Sequence, residues 1–310
     1  MSSLVEVSAP VSAALRSGAP VVALESTIIS HGLPRPGNLE AAREFEAILA
    51  GQGVTAATIA LVDGVARIGL TPGELERVAT DESVVKVSSR DIAIAMARKV
   101  TGGTTVAATS VLASRTGIRV FATGGLGGVH RDAGETFDES ADLTVLSRTP
   151  ITVVSAGVKS ILDIPATLER LETLGVAVVG YRTSRFPAFW LSDSGYDLDW
   201  RADSPAEIAD IMAAREAFGD QSALLVANPL PPGRQLDPQV LDDALADALA
   251  AAAAQDVRGK AVSPFLLDWI QRVTGGASVE VNLDIARGNV DLAAKISRSW
   301  SERTAARAPS

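Results

Sequence analysis

Short apolar runs rich in β-branched residues recur along this 310-residue chain, and helical patterns separate them. Several runs lack alternation between apolar and polar residues, as expected of strands buried on both faces. Strands that alternate with helices predict an α/β fold with a mainly parallel central sheet. The predicted strands are residues 21–25, 57–62, 84–88, 119–122, 151–155, 176–181 and 223–227.

Capping residues mark the starts of the predicted helices between these strands. Asp163 precedes one helix, and Ser204 with Glu207 three residues later forms a capping-box pattern. No repeat or clear linker interrupts the chain, so we predict a single domain over residues 1–310, with fraying at 308–310. The proline-rich stretch 228–233 is interpreted as a strand exit into a surface loop. The predicted helices are residues 38–50, 165–174, one from 204, 238–255 and 289–306.

Charge and composition narrow the classes of partner. The formal net charge is −9, which argues against a nucleic-acid partner but not against a small phosphorylated substrate. The chain has no cysteine, which excludes disulfides and thiolate metal sites and fits a cytoplasmic location. The N-terminus lacks the pattern of a signal peptide. The Ala-rich stretch 244–254 is too short to span a bilayer, so we expect no membrane association.

Lysine is rare in this chain, and two of its five lysines accompany strand-like runs. Lys86 lies within one such run, and Lys159 follows another among small and apolar neighbours. A lysine in such a pocket loses hydration, so its pKa falls and its amine becomes nucleophilic. The chemistry that needs this is imine formation with an aldehyde; the alternative is a surface lysine at a loop tip.

Glu25 stands at the end of the first predicted strand. Ligands of open α/β sheets collect at the carboxyl ends of strands, and a carboxylate there is partly desolvated. Desolvation raises the pKa of a carboxyl group, which suits a general acid. The alternative is that Glu25 caps the next helix or pairs with an arginine.

Two further stretches offer ligands for anions and cations. Residues 123–131 hold four glycines in five positions, followed by His130 and Arg131. This loop either brings backbone N–H groups to an anion or is a tight turn that needs small residues. Acidic residues follow at 138, 139 and 142, which either hold Mg²⁺ or Mn²⁺ or form an acidic helix N-terminus. The only two histidines, His31 and His130, fall in separate glycine-containing loops, which suggests that both loops form one site.

Three stretches together resemble the pseudouridine-5′-phosphate glycosidases, also called the indigoidine-synthase-A-like family. They are residues 21–34 (VVALESTIISHGLP), 121–131 (FATGGLGGVHR) and 155–163 (SAGVKSILD). The similarity continues through residues 228–229 and 264–267 to the last helix, and so covers nearly the whole chain. It implies a three-layer α/β/α fold, a homotrimer and a divalent cation, usually Mn²⁺.

The resemblance also implies roles for individual residues. Glu25 would be the proton donor, Lys159 the imine-forming nucleophile, and Asp138 the metal ligand, largely through waters. The remaining expected contacts are to substrate. They would come from Lys86 (phosphate), Val106 (base), Ser140, Ala141 and Asp142 (sugar phosphate), His130 (near metal or phosphate) and Asn282 (uracil edge).

The implied reaction cleaves the carbon–carbon glycosidic bond of pseudouridine 5′-phosphate, giving uracil and ribose 5-phosphate. Alternatives are an aldolase-type Schiff-base enzyme, a non-catalytic binding protein, or a family member that acts on another nucleobase analogue. The last is suggested by a departure: members carry an Asn-Asn pair just before the final helix, where this chain has Arg287-Gly288-Asn289. The departure concerns the local loop geometry and leaves Glu25, Asp138 and Lys159 untouched.

Overall fold

A computed structural model describes residues 4–306, apart from the side chain of Lys260. The predicted fraying of residues 308–310 lies outside the described residues. Within residues 4–306, eleven strands belong to one sheet. They are Val5–Val7 (β1), Val21–Leu24 (β2), Thr55–Val62 (β3), Val65–Ile68 (β4), Val85–Val87 (β5), Gly102–Thr104 (β6), Val120–Ala122 (β7), Thr152–Ser155 (β8), Ala177–Tyr181 (β9), Arg201–Ala202 (β10) and Leu224–Ala227 (β11).

The sheet is mainly parallel, as predicted. Its strand order is β1-β4-β3-β2-β7-β8-β11-β9-β10, and β6 joins β3 to the short outer strand β5. In the described part of the chain, only β3 with β4 and β3 with β6 pair antiparallel. The central strands β2, β7, β8 and β11 are parallel neighbours, so their carboxyl ends meet at one edge. That edge is where a ligand site is expected.

Helices surround the sheet. They are Ala9–Ser17 (α1), Gly37–Gly51 (α2), Pro72–Thr80 (α3), Ile92–Ala97 (α4), Val106–Arg115 (α5), Ala133–Thr136 (α6), Ala141–Leu146 (α7), Ile164–Thr173 (α8), Pro205–Phe218 (α9), Pro238–Ala254 (α10), Val262–Val273 (α11) and Ala277–Ala305 (α12). The predicted caps are confirmed at Asp163, which accepts from the Ala166 amide, and at Ser204, which accepts from the Glu207 amide. The other half of the predicted capping box is wrong, because the Glu207 carboxylate accepts from the Asp203 amide and not from that of Ser204. No helix among residues 4–306 is long and apolar enough to cross a bilayer.

Helices cover both faces of the sheet and bury a separate core on each. Successive residues of a strand point to opposite faces. Accordingly, Val22 and Leu24 pack with α2, α9 and α12 on one face. Ala23 packs with residues of α1, α5, α8 and α10 on the other. The result is the three-layer α/β/α arrangement that the family resemblance implied.

The last helix differs from its prediction. It begins at Ala277 and not near Asn289, so residues 287–289 lie inside a helix of 29 residues and not in a loop. Gly275 and Gly276 have positive φ and form the break before it. Gly288 does not break it, because an interior glycine costs only about 1 kcal/mol, which tertiary packing offsets. A Cβ added at Gly288 would make only an ordinary contact with Asn228.

Candidate active site

Glu25 follows β2 directly and lies at the carboxyl edge of the sheet. The Thr123 hydroxyl, at the end of the neighbouring β7, donates a hydrogen bond to its carboxylate. Burial raises the pKa of Glu25, and this effect outweighs the positive charge of nearby Lys159, which lowers it. A carboxyl group that keeps its proton to higher pH than usual is suited to act as a general acid.

Lys159 lies on the loop that follows β8, and the glycine-rich loop holds it from the side. The Leu126 amide donates to the Gly157 carbonyl (2.9 Å), and the Lys159 amide donates to the Leu126 carbonyl (3.1 Å). Gly157 has φ +79°, and a Cβ there would overlap the Pro187 carbonyl, so the turn requires glycine. The Lys159 charge affects the pKa of both Glu25 and Lys86, so its amine is directed into their shared site.

Lys86 and His31 lie on the open side of this site. Lys86 is exposed on β5, yet the protein around its amine desolvates it, and with the nearby charge of Lys159 this lowers its pKa. The negative charges of Asp142 and Glu25 oppose that shift. His31 belongs to a single π-helical turn, Ile28–Gly32, a distortion often found at functional sites. Burial and the charge of Lys86 lower the pKa of His31, so this histidine lies near Lys86.

Close packing explains most of the glycines in the glycine-rich loop, residues 123–131. A Cβ at Gly125 would press on the Phe189 ring, and one at Gly127 would overlap Ser140. The loop was expected to offer backbone N–H groups to a bound anion. One of them, the Gly127 amide, instead donates to the carboxylate of Asp142 (2.9 Å). The tight-turn interpretation therefore accounts for these glycines, and the loop serves to bring residues 138–142 against the site.

Asp142 is buried and ties three parts of the site together. Besides the Gly127 amide, its carboxylate accepts from the Ala107 amide (2.9 Å), directly after Val106 at the start of α5. Both carboxylate oxygens therefore have backbone partners. Ser140 caps α7 through the Asp142 amide, and its own amide donates to the Gly128 carbonyl. The predicted contact residues Val106, Ser140, Ala141 and Asp142 thus lie together.

Among the acidic residues 138, 139 and 142, Asp138 has the carboxylate that is most available to a metal ion. Its side chain is about one-third exposed (34%), and the nearest ring nitrogen of His130 is 3.9 Å from its carboxylate. Neighbouring Glu139 pairs with Arg170 (2.8 Å). Among residues 4–306, no three His, Asp or Glu side chains cluster closely enough to hold a metal. The donor set therefore fits only a cation held by one carboxylate and mostly by water, as Mg²⁺ and Mn²⁺ accept.

Asn289, which the sequence did not mark as a site residue, reaches the site more directly than Asn282. Its Nδ2 donates to the carbonyls of Thr123 (2.7 Å) and Gly124 (3.1 Å). Asn282 lies seven positions earlier on the same helix face, about 10 Å along the axis. The sequence did not mark Thr123 either, although the rule of strand carboxyl ends selects it as readily as Glu25.

A cavity well away from this chemistry is much roomier than the space beside Glu25. It measures about 270 Å³ and sits at the amino ends of β7, β8 and β11. Its charged groups neutralise one another, because Arg119 pairs with Glu216 and Arg215 pairs with Asp220. A much smaller cavity of about 20 Å³ lies behind Glu25. The convergence of charged groups, and not cavity size, therefore identifies the candidate active site.

Known proteins are similar to this chain over almost its whole length. The family model described as indigoidine synthase A like protein matches residues 10–299. A pseudouridine-5′-phosphate glycosidase from Frankia alni is 59% identical, over 96% of this chain and 82% of its own length. A protein of the same name from Saccharopolyspora erythraea is 57% identical, over 96% of this chain and 99% of its own.

Solved structures share the fold. The crystal structure of the prealnumycin C-glycosynthase AlnA in complex with ribulose 5-phosphate has a TM-score of 0.91 at 37% identity. The match covers 98% of this chain and 99% of that one. An indigoidine synthase A-like protein from Thermotoga maritima gives a TM-score of 0.87 at 34% identity, covering 96% and 97% of the two chains. The predicted fold class is thereby confirmed.

Proposed function

Because the chain belongs to the indigoidine synthase A like family, we propose that it cleaves pseudouridine 5′-phosphate to uracil and ribose 5-phosphate. The observation that carries the chemistry is the convergence of Glu25, Lys159 and Lys86 at one sheet edge. It supplies an acid whose pKa is raised, a lysine nucleophile and a second cation for a phosphate. Relatives with 57–59% identity over most of the chain carry the glycosidase name.

Lys159 acts in the first step of the reaction. A carbon leaving group is much harder to expel than the oxygen or nitrogen of an ordinary glycoside. The Lys159 amine therefore attacks C1′ and displaces the ring oxygen, which takes up a proton as the ribose opens. C1′ is then bonded to both the Lys159 nitrogen and uracil C5. The nitrogen lone pair can now assist the departure of uracil by forming an imine.

Glu25 completes the cleavage by donating its proton. As the bond between C1′ and C5 breaks, its electron pair moves to C5, which takes the proton from Glu25 and leaves as neutral uracil. Water then hydrolyses the imine, which releases ribose 5-phosphate and the free Lys159 amine. General acid assistance of this kind contributes roughly 10²–10⁴-fold to a rate.

Lys86, Asp138 and His130 act on the phosphate side. Lys86 is the exposed cation of the site and contacts the substrate phosphate in this proposal. Asp138, with His130 beside it, would hold Mn²⁺, which would help to orient the sugar phosphate and offset its charge. In the same proposal Val106, Ser140 and Ala141 line the substrate through backbone atoms, Asn282 lies toward the uracil edge, and Asp142 braces them.

The decisive experiment combines uracil release with trapping of the imine. The protein is mixed with ribose 5-phosphate and borohydride, and mass spectrometry maps the reduced adduct. We expect one adduct, on the peptide that contains Lys159. Lys159→Ala should lose both adduct and turnover, whereas Lys86→Ala should still be trapped at higher ribose 5-phosphate.

Each competing function gives a different result in this experiment. An adduct without uracil release from pseudouridine 5′-phosphate would indicate an aldolase-type enzyme or another base. Binding without any adduct would indicate a non-catalytic protein. The 37% identity to a C-glycosynthase makes bond formation to another aglycone the second candidate, tested by offering ribose 5-phosphate with other nucleobase analogues.

Family membership also supports a homotrimer in the cytoplasm. We propose this assembly without assigning its interface. Light scattering should give a mass about three times the 32.0 kDa of one chain, and cell fractionation should place the protein in the soluble fraction. A mass of one or two chains at micromolar concentration would contradict the trimer.

A further inference from the structure

The side chain of Asn289 is buried in α12 and crosses the carboxyl edge of the sheet. Its Nδ2 donates to the carbonyl oxygens of Thr123 (2.7 Å) and Gly124 (3.1 Å). Its Oδ1 accepts from Nδ2 of Asn228 (2.9 Å), which follows β11. Two acceptors on one side and a donor on the other determine which way this amide points.

These bonds fix the residue that contacts the proton donor. The Thr123 amide donates to the Val154 carbonyl (3.0 Å), and the Thr123 carbonyl accepts from Asn289. The backbone of Thr123 is therefore held on both sides. Its β-branched side chain has few rotamers, so a fixed backbone also fixes the direction of the hydroxyl. That hydroxyl donates to the Glu25 carboxylate.

We propose that Asn289 is a positioning residue for the proton donor, which holds Thr123 so that its hydroxyl fixes the Glu25 carboxylate. This inference rests on the function proposed above, because it assigns Asn289 a part in the protonation of uracil C5. Asn289 itself touches neither Glu25 nor, in this proposal, the substrate. Its effect on the rate passes through Thr123.

A purely stabilising role is the alternative, and Ser297 provides the matched control. Ser297 is also buried on α12, and its hydroxyl donates to the carbonyl of Val21 (3.1 Å), at the opposite end of β2 from Glu25. Ser297→Ala removes one buried hydrogen bond from α12 to the sheet, and Asn289→Ala removes three buried hydrogen bonds from the same helix. Only Asn289 lies at the site.

Steady-state kinetics of uracil release separate the two roles. We expect Asn289→Ala to lower kcat roughly tenfold to a hundredfold with little change in KM, a part of what a general acid contributes. Ser297→Ala should keep kcat within about twofold, as expected of a change away from the site. Thr123→Val should lower kcat at least as much as Asn289→Ala. The double variant should be no slower than Thr123→Val, because both changes remove the same support.

The pH profile gives a second measurement that stability alone does not move. Cleavage needs protonated Glu25, so kcat falls as pH rises through its pKa. The Thr123 hydroxyl lowers that pKa, so a loosened Thr123 should move the fall in kcat to higher pH. Lys159, Asp142 and Lys86 also act on Glu25, and all three stay unchanged in these variants.

Three results would overturn the inference while wild-type protein still releases uracil. These are a kcat for Asn289→Ala like that of Ser297→Ala, an unmoved pH profile, or additive losses with Thr123→Val. Wild-type protein that releases no uracil would instead refute the proposed function. Should Asn289→Ala fail to fold, Asn228→Ala removes only the bond that orients the Asn289 amide. It should give a smaller change of the same kind, and an unchanged kcat and pH profile would overturn the inference.

Discussion

Replacing Asp142 with asparagine tests whether its carboxylate braces the site. The carboxylate accepts two backbone N–H groups at 2.9 Å, from Ala107 and Gly127. Asparagine keeps one acceptor oxygen but turns its NH₂ group toward the other amide. One charge-assisted bond is then lost, and a buried N–H is left without a partner. Each such loss costs about 1–3 kcal/mol, so we expect the free energy of unfolding to fall by about 3 kcal/mol.

The measurement is urea unfolding followed by tryptophan fluorescence, with Asp138→Asn as the control. Asp138 undergoes the same chemical change four residues away, but its side chain is one-third exposed and its carboxylate lies 3.9 Å from the nearest ring nitrogen of His130. Its unfolding free energy should change by less than about 0.5 kcal/mol. Equal midpoints with equal slopes for the two variants would refute the bracing role of Asp142.

Three further predictions concern the reaction and the one departure from the family. Glu25→Gln keeps the side-chain size but removes the proton, so uracil release should fall roughly 10²–10⁴-fold; a rate above a tenth of wild type would exclude Glu25 as proton donor. Chelation should inactivate the wild type and Mn²⁺ restore it, but not in Asp138→Asn; full activity in excess chelator would remove the metal from the mechanism. Arg287→Asn breaks partly exposed ion pairs with Glu44 and Asp284, so it should cost at most about 1 kcal/mol of unfolding free energy and leave kcat unchanged; a tenfold fall would show that Arg287 acts on the site.

Short apolar runs rich in β-branched residues predicted the parts of the fold whose signal is local. All seven predicted strands exist, because runs of apolar and β-branched residues favour a strand locally. The strand Gly102–Thr104 escaped prediction because its two glycines weaken any strand signal. A Cβ at Gly103 would overlap the hydroxyl of Ser30, so a tertiary contact requires glycine at this position. Such a contact leaves no pattern in the neighbouring sequence.

The candidate site shows the same division. Strand ends and residue types were enough to select Glu25, and the neighbours of Lys159 were enough to select that lysine. The partners of Asp142 could not be predicted, because they are backbone amides that any residue would offer. Asn289 escaped because the sequence suggested a loop at residues 287–289, where the structure has a continuous helix. A residue that acts through buried backbone bonds is visible only once the helices are placed.

The charges of the site link the two chemical steps of the proposed reaction. Lys159 must lose its proton to attack C1′, and the positive charge that lowers the pKa of Glu25 then disappears. Glu25 consequently holds its proton most firmly while the adduct forms. When the bond to uracil breaks, the imine nitrogen becomes positive again beside Glu25. The positive charge returns as the carboxylate gives up its proton, so it stabilises the product of that transfer. A buried carboxyl group next to an imine-forming lysine thus retains its proton early and releases it late.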